Sequence, residues 1–546
     1  MMESRKALVL YSSALTKLAA LITKYHDLIN VCMVDFVTKK IFENVVPLEL
    51  KANLEGLNDD EIRVLPEKFF NCESVSTYGI QPIDRLISEL REHTLESLGV
   101  VRSKAELLTS LESCQFHANT SIKYFDKFMS DKKMHEVVVM SEVVDYLRCN
   151  THVETLIDLG SGKAYLSQVL SATSQNLRIL AIDSSETNSH GAKKRSDRLD
   201  SKWDALKKRA DIRASGSDPP VRSKHARSKK KDEDKPLSND TSEVGKRNRF
   251  DDNLKYATKF VDVDTNLPSL MREHFSDNDS GKGQIFQEKL GLIGLHTCGN
   301  LAANSIKIWL KNESMKMLCN VGCCYHHIDE EFYKNPYLSS EEIDCSTPSF
   351  PMSSHLKKLK YQLGRNARMI AAQPMDRLRT NKQLPNESLL WRSILQHILL
   401  IHLPDLHFAN QQVDSYIVVR SKFRITNKIC FKFTEDISLL QVGRIATKCQ
   451  TFVEYVQKAF QKLKIDLLWN AEKIEQTYSQ LSAKHRSQLF AFYQLRTLFG
   501  PLIEGLILLD RIVYINETNS SAEANLVQLF DPVISPRCYG IIASKH

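Results

Sequence analysis

At 546 residues the chain is too long for one hydrophobic core, so about three domain-sized pieces are expected. Its 42% hydrophobic and 26% charged residues are ordinary for a soluble globular protein, and its 12 cysteines lack the dense spacing of a secreted scaffold, so reduced thiols are expected. The net charge of +8 is local: 193–231 holds 15 Lys and Arg against five Asp, a net +10, which leaves the rest of the chain at −2.

From the N-terminus, Leu8, Leu15, Leu18, Leu21 and Ile22 recur at helical spacing, and a second helical run follows from Leu28 to Phe42. Prolines and Gly56 break 47–82, and helical spacing resumes over 83–98 and 103–111. Residues 1–130 are therefore expected to form a helical domain. Phe69 and Phe70 read either as a groove lining or as core packing. No apolar run approaches the roughly 20 residues that span a bilayer, and Arg5–Leu21 is too often interrupted for a secretory core. An intracellular protein, cytoplasmic and/or nuclear, with no membrane partner is expected. The segment DKKMHEVVVMSEVVDYL, 131–147, reads as a helix that Asp131 can cap, with Val137, Val138, Val144 and Leu147 on its buried face. Its first turn carries Lys132, Lys133, His135 and Glu136, placed either to reach a cofactor or substrate or to be solvated.

The organising stretch is 155–183. An apolar run ends in Asp158 and breaks into Gly160, Ser161 and Gly162 before helical spacing begins; a second apolar run, 179–182, ends in Asp183. Strand, glycine turn, helix, strand and acid in that order predict an open α/β sheet, with Asp183 where an acid can hold the ribose hydroxyls of an adenosine. A pyrophosphate wants bare backbone donors and no neighbouring anion, whereas Asp158 sits beside the glycines and position 165 is Tyr where a dinucleotide fingerprint has Gly or Ala. S-adenosylmethionine carries no phosphate and is cationic at its ammonium and sulfonium, so an acid there is attractive and the glycines let backbone approach. The competing reading is a buried βα turn with a capping acid.

The sheet pattern is then interrupted. A helix with a basic face is expected over Gly191–Ile212, and 214–253 is too polar to order itself, giving a disordered basic insertion over about 191–255. Its SKHARSKKKDEDK run reads as a nuclear-localisation or phosphate-binding segment, or as a solvated tether. A third strand is expected over Ala257–Val263 with Asp262 and Asp264 at its end, Asp262 being a candidate for the adenine amino group. Strand four, Leu290–Leu295, leads into His296, Thr297, Cys298, Gly299 and Asn300. Strand five, Met317–Val321, leads into Gly322, Cys323, Cys324, Tyr325, His326 and His327. Strand ends of an open α/β sheet line its crevice, so these clusters are expected to face one another. Beyond residue 330, 331–450 is read as the remainder of the core with loops, 451–505 as a helical insertion, and 506–546, from LILLDR to a strand at Gly540–Ser544, as the last strands of a discontinuous core that starts at 131. A strand is also read at Ser415–Phe423.

The Cys and His donors are numerous, but Cys-Cys beside His-His lacks the two-to-four-residue spacing of structural zinc, so no metal is assigned. For methyl transfer the protein must align the nucleophile and remove a proton. His296, His326 or His327 can take that proton and Tyr325 can orient the acceptor, with Cys323 and Cys324 lining the centre. The His-Thr-Cys-Gly slot after strand four does not hold the residues of adenine-N6 chemistry, and none of the three candidate cysteines follows a proline as cytosine-C5 chemistry would want.

Taken together, DLGSGKAYLS, GLHTCGNLA, NVGCCYHH, ARMIAAQ and LFDPVISPR closely resemble the methyltransferase-like protein 25 family. The resemblance implies a class I, Rossmann-like, seven-strand methyltransferase fold using S-adenosylmethionine, with a helical N-terminal domain and a helical C-terminal insertion. Some members carry a ribosomal RNA adenine dimethylase label, which the residues after strand four do not support. Two motifs also look like those of tRNA 2′-O-methyltransferases, falling on His296, Cys298 and Gly299 and on Cys323, Cys324, His326 and His327. This chain departs from them by Thr297 for Leu and by the inserted Tyr325, and has Asn300 where related methyltransferase-like proteins have Asp. The expectation is a methyltransferase acting on a macromolecule, RNA first, with a protein methyltransferase or a catalytically inactive binding module as alternatives. Cofactor binding is assigned to Lys133, Glu136, Asp158, Gly160, Ser161, Gly162, Asp183 and Asp262, and the reacting centre to His296, Cys323, Cys324, Tyr325 and His326.

Overall fold

The apolar run at 155–159 forms a fully buried strand near the middle of an eight-stranded mixed sheet. The computed structural model describes residues 2–70, 81–111, 129–174, 177–203, 208, 212, 250, 252–275, 289–333, 347–402, 407–408, 419–420, 442–464 and 466–545. The sheet strands are β1 (Arg102–Ser103), β2 (Thr155–Leu159), β3 (Arg178–Asp183), β4 (Leu254–Thr258), β5 (Leu290–Cys298), β6 (Met315–Cys323), β7 (Glu523–Gln528) and β8 (Tyr539–Ser544), in the order β1-β7-β8-β6-β5-β2-β3-β4. β8 runs antiparallel to both neighbours, and every other pairing is parallel. Because β2 is flanked by β3 on one side and β5 on the other, the strand order reverses at β2, which opens a crevice beyond the carboxyl ends of β2 and β5.

The chain divides into two units. The first comprises 1–5, 101–323 and 515–546 and holds the sheet; the second comprises 6–100 and 324–514. The expected boundaries at 130, 330 and 505 are thereby corrected. Residues 6–100 and 324–514 together form one helical unit rather than three separate pieces, because the partners of its N-terminal helices lie hundreds of residues downstream: the buried Arg496, for example, donates to the carbonyl of Val31 at 2.9 Å.

In the first unit, helix Asp131–Thr151 packs Val137, Met140, Val143, Val144 and Leu147 into the core. Its N-cap is Ser130 rather than Asp131, and Val138 is only half-buried. The third strand ends at Thr258, five residues before the predicted end, so Asp262 lies in the following turn and not at the strand tip. The expected disorder from about residue 191 is corrected as well: 186–200 is a helix with Ser185 at its N-cap, its hydroxyl accepting from the Asn188 amide at 3.4 Å. The SKHARSKKKDEDK run lies outside the described residues. Lys545 closes the unit by donating to the carbonyls of Trp309 and Asn312 at 2.7 and 2.8 Å, which ties the last strand to the end of helix Asn300–Lys311.

The second unit is helical. LILLDR is not a strand: it lies inside helix Gly500–Thr518, where all six residues are buried. A helix buried all round reads as a continuous apolar run, which periodicity cannot separate from a strand. Asp510 of that helix accepts the amides of Met352 and Ser353 at 2.7 and 2.8 Å, and burial pushes its carboxyl up against those bonds. Of the strand read at Ser415–Phe423, only Val419–Arg420 lies within the described residues, and it pairs with His407–Phe408 in a separate two-stranded ribbon. Among the described residues, one segment, Lys6–Lys24, is long and apolar enough to cross a membrane by length and composition, contrary to the sequence expectation. Leu15, Leu18 and Ile22 on that helix are buried within the protein.

Candidate functional site

The glycine turn is fastened to the neighbouring strand through its own backbone. The amides of Gly160 and Ser161 both donate to the carbonyl of Ile182, at 2.9 and 3.1 Å, and the amide of Gly162 donates to Asp183 Oδ2 at 2.9 Å. Gly160 and Gly162 have φ of 68° and 56°, which L side chains rarely adopt. A side chain at 160 would meet Leu301 at 3.1 Å, whereas at 162 nothing lies within 4 Å, so the turn opens at Gly162. Asp183 Oδ1 takes the amide of Ser185 and the side-chain amide of Asn188 at 2.9 and 3.0 Å. Five hydrogen bonds thus hold the turn and the tip of β3 as one rigid frame.

The two acids of this frame occupy different environments. Asp183 is half-buried, whereas Asp158 is 2% exposed and accepts from Ser167 on helix Tyr165–Thr173 at 2.5 Å. Burial pushes the Asp158 carboxyl up to about 7, the Ser167 hydroxyl opposing and Asp183 reinforcing the shift. Asp158 therefore sits behind the turn. An acid raised in the folded state holds its proton from about pH 4, where an unfolded Asp releases it, to about 7, so stability falls as pH rises through that window. Asp158→Asn is expected to remove this fall, which reaches at most about 1.4 kcal/mol per pH unit. Denaturant midpoints between pH 4.5 and 7.5 measure it, and parallel slopes for the two proteins would sink the assignment.

A second cluster joins three distant parts of the chain. Glu136, fully buried on helix Asp131–Thr151, receives His296 Nε2 at 3.2 Å, Lys133 Nζ at 3.0 Å, Lys132 Nζ at 3.6 Å and the Ser535 hydroxyl at 2.6 Å. Because a carboxylate only accepts, the neutral His296 ring carries its proton on Nε2 and presents Nδ1 as the basic atom. Burial alone would raise Glu136, but the hydrogen bond from His296, with that from Ser535 and the charge of Lys133, holds it well below the usual carboxylate range. Next to it, the Asp531 amide donates to His135 Nε2 at 3.0 Å, so the 529–538 segment is fixed to the first turn of the helix at two points. Ser535 was not singled out as a site residue, since no local spacing couples it to a helix 399 residues away.

The stability Glu136 supplies is complete above the unfolded carboxyl pKa of about 4.3 and is lost as pH falls through its depressed folded value. Glu136→Gln is expected to cost about 3 kcal/mol at pH 7 and much less near pH 3, as read from urea unfolding at both values. An equal cost at both would show that its charge is not what matters.

At the ends of β5 and β6, Cys298 and Cys323 are register partners with their sulfurs 3.1 Å apart, so the ends of the two predicted strands do meet. Thr297 is turned inward, its hydroxyl donating to the Val321 carbonyl at 3.0 Å. The CCYHH run is divided by the unit boundary, for Cys324 takes a left-handed φ of 51° and begins the helical unit. There the Tyr325 hydroxyl is buried and donates to Glu504 at 2.7 Å, which corrects the expectation that it orients an acceptor. His326 is half-buried against the His327 ring, with centroids 4.1 Å apart.

Arg368, from the ARMIAAQ motif, holds this turn. Its Nη1 donates to the carbonyls of Tyr325 and His326 at 3.1 Å each and also to that of Ile328, while Nε pairs with the buried Glu330 at 2.6 Å. Glu330 in turn accepts the amides of Leu363 and Gly364 at 2.8 and 3.0 Å. Among the described residues, the Asp262 carboxylate accepts from Thr265 Oγ1 at 2.7 Å and the Asp264 amide at 3.2 Å, both in its own turn, and that Thr265 bond keeps its carboxyl low. It contacts nothing of the glycine turn among these partners.

Comparison with known proteins agrees with the sheet and its turn. A family profile described as "Methyltransferase domain" matches residues 132–331. The mouse protein named "Probable methyltransferase-like protein 25" is 29% identical over 593 aligned positions, covering 94% of this chain and 93% of that protein. Its human namesake is 28% identical, covering 94% of each. The resemblance carried by the five motifs is borne out along nearly the whole chain. No solved structure matches it.

Proposed function

For a chain that carries a methyltransferase domain and is similar nearly end to end to mammalian methyltransferase-like 25 proteins, we propose S-adenosylmethionine-dependent methyl transfer to RNA. The observation that carries this reading is the frame in which Asp183 closes on the Gly162 amide while the turn opens at Gly162. It offers a half-buried carboxylate for ribose hydroxyls beside a turn whose amides already donate to Ile182 and Asp183. That arrangement suits a cationic, phosphate-free adenosine better than a dinucleotide, whose pyrophosphate wants free backbone donors. The strand order β4-β3-β2-β5-β6-β8-β7, with β8 antiparallel and β1 added at one edge, supports the seven-strand class I assignment that the resemblance implies.

Bound S-adenosylmethionine would supply an electrophilic methyl on a sulfonium, so the chain's own task is positioning and proton removal. His296 stands at the crevice end of β5 with Nδ1 as its basic atom, and Glu136 stabilises the imidazolium that forms when His296 takes a proton from the acceptor. Asp158 is buried and bonded to Ser167 on the helix that follows the turn, so it is assigned to positioning rather than to direct contact with the cofactor. For RNA the support is helix Glu186–Asp200. Two residues separate it from β3, and it buries Ala192, Ser196 and Leu199 while exposing Lys193, Lys194 and Arg198, so a basic face flanks the rim.

The test is labelled methyl transfer from S-adenosylmethionine into extract of cells lacking the protein, followed by nuclease or protease. Label removed by nuclease is expected. Label removed only by protease would move the substrate to protein, and cofactor binding with no transfer to either pool would reduce the protein to a binding module.

A further inference from the structure

A reactive cluster left unused above is the thiol pair at the ends of β5 and β6. We propose that Cys298 and Cys323 form a reversible dithiol–disulfide site that controls the crevice. Three observations carry it. The two residues are register partners on adjacent parallel strands, which places their Cα atoms about 4.8 Å apart, inside the span a disulfide bridges. Their sulfurs are 3.1 Å apart, so a bond of about 2 Å needs a closing movement of roughly 1 Å. Cys298 is exposed while Cys323 is buried, which separates a thiol that meets an oxidant from a thiol that resolves the product. Cys319, on the same strand, offers the contrast: it is fully buried, and burial pushes its thiol up.

With glutathione disulfide as oxidant the chemistry balances. Cys298 Sγ, as the thiolate, attacks one sulfur of the glutathione disulfide, forming a mixed disulfide and releasing one glutathione. Cys323 Sγ gives its proton to solvent and attacks the Cys298 sulfur, forming the Cys298–Cys323 bond and expelling the second glutathione. The protein loses two hydrogens, and the disulfide is reduced to two thiols. Cys298 is exposed, and exposed disulfides are among the readily reduced ones. His296 lies two residues before Cys298, whose sulfur is 3.6 Å from the His296 carbonyl. Drawing the sulfurs together therefore pulls on the segment that holds His296. This effect on the crevice rests on the proposed function; the disulfide itself does not.

The experiment treats the full-length protein with glutathione disulfide, blocks remaining thiols, maps peptides by mass, and measures S-adenosylmethionine affinity before and after. A Cys298–Cys323 cross-link reversed by dithiothreitol is expected in the wild type and in Cys324→Ser, and none in Cys298→Ser or Cys323→Ser. Affinity should fall at least tenfold on oxidation in the wild type and stay unchanged by oxidant in Cys298→Ser. Cys298 ending as a glutathione adduct, or paired with Cys324, would overturn the site. A cross-link that leaves affinity unaltered would overturn its control of the crevice. Failure of the reduced wild type to bind S-adenosylmethionine at all would count against the proposed function instead, with the cross-link standing on its own.

Discussion

Replacing Asp183 with Ala is expected to weaken S-adenosylmethionine binding by a factor of about 100 to 1,000. Its carboxylate receives the Gly162 amide, the Ser185 amide and the Asn188 side chain, so it both shapes the turn and presents charge at the rim. Hydrogen bonds to a charged group contribute about 1.5–3 kcal/mol each, so two to the ribose hydroxyls supply roughly 3–6 kcal/mol, and a hundred- to thousandfold loss, about 2.8–4.2 kcal/mol at about 1.4 kcal/mol per tenfold, lies in the lower part of that range. Asp183→Asn separates the two roles. It keeps an acceptor for the Gly162 amide and loses the charge, so an intermediate loss is expected. Calorimetry on both variants, with circular dichroism to establish folding, reads the result. Wild-type affinity in a folded Asp183→Ala protein would remove Asp183 from the cofactor site.

The largest effect on stability is expected from Arg368→Ala, at about 4 kcal/mol, because truncating one partner of a buried ion pair strands the other charge. Here Glu330 would be left without its guanidinium, and the carbonyls of Tyr325, His326 and Ile328 would lose their shared donor. Arg368→Lys should recover little, since one ammonium cannot reproduce a fork that serves a carboxylate and three carbonyls. Urea unfolding of the full chain measures the cost, and hydrogen exchange locates it. The Ile328 amide, which donates to the Tyr325 carbonyl at 3.1 Å, should exchange faster in the variant. A cost below about 1 kcal/mol would mean that the pair is solvated in solution.

The sheet was legible where local chemistry sets it. The acid, the glycines with positive φ and the two short apolar runs at 155–183 specify strand, turn and strand without help from distant residues. The site was legible as a set of residue types and less so as a set of contacts. Lys133 and Glu136 were singled out on one stretch and His296 on another, and the fold brings them together around the buried Glu136 carboxylate. Ser535, their fourth partner, is joined by tertiary folding alone. Sequence misled where a run of polar and reactive residues was read as one cluster. CCYHH begins at a strand end and leaves it at Cys324, and Tyr325 turns its hydroxyl to Glu504, whose position 179 residues later carries no local signal. LILLDR was misread because burial on every side erases the helical period.

Central to the proposed function is that the acid-flanked turn prefers a cationic adenosine to a phosphate-bearing one. Calorimetric titration of the full chain with S-adenosylmethionine, NAD and ATP, each at the same concentration and salt, tests this directly. Saturable binding of S-adenosylmethionine alone is predicted; binding of NAD or ATP with S-adenosylmethionine silent would contradict it.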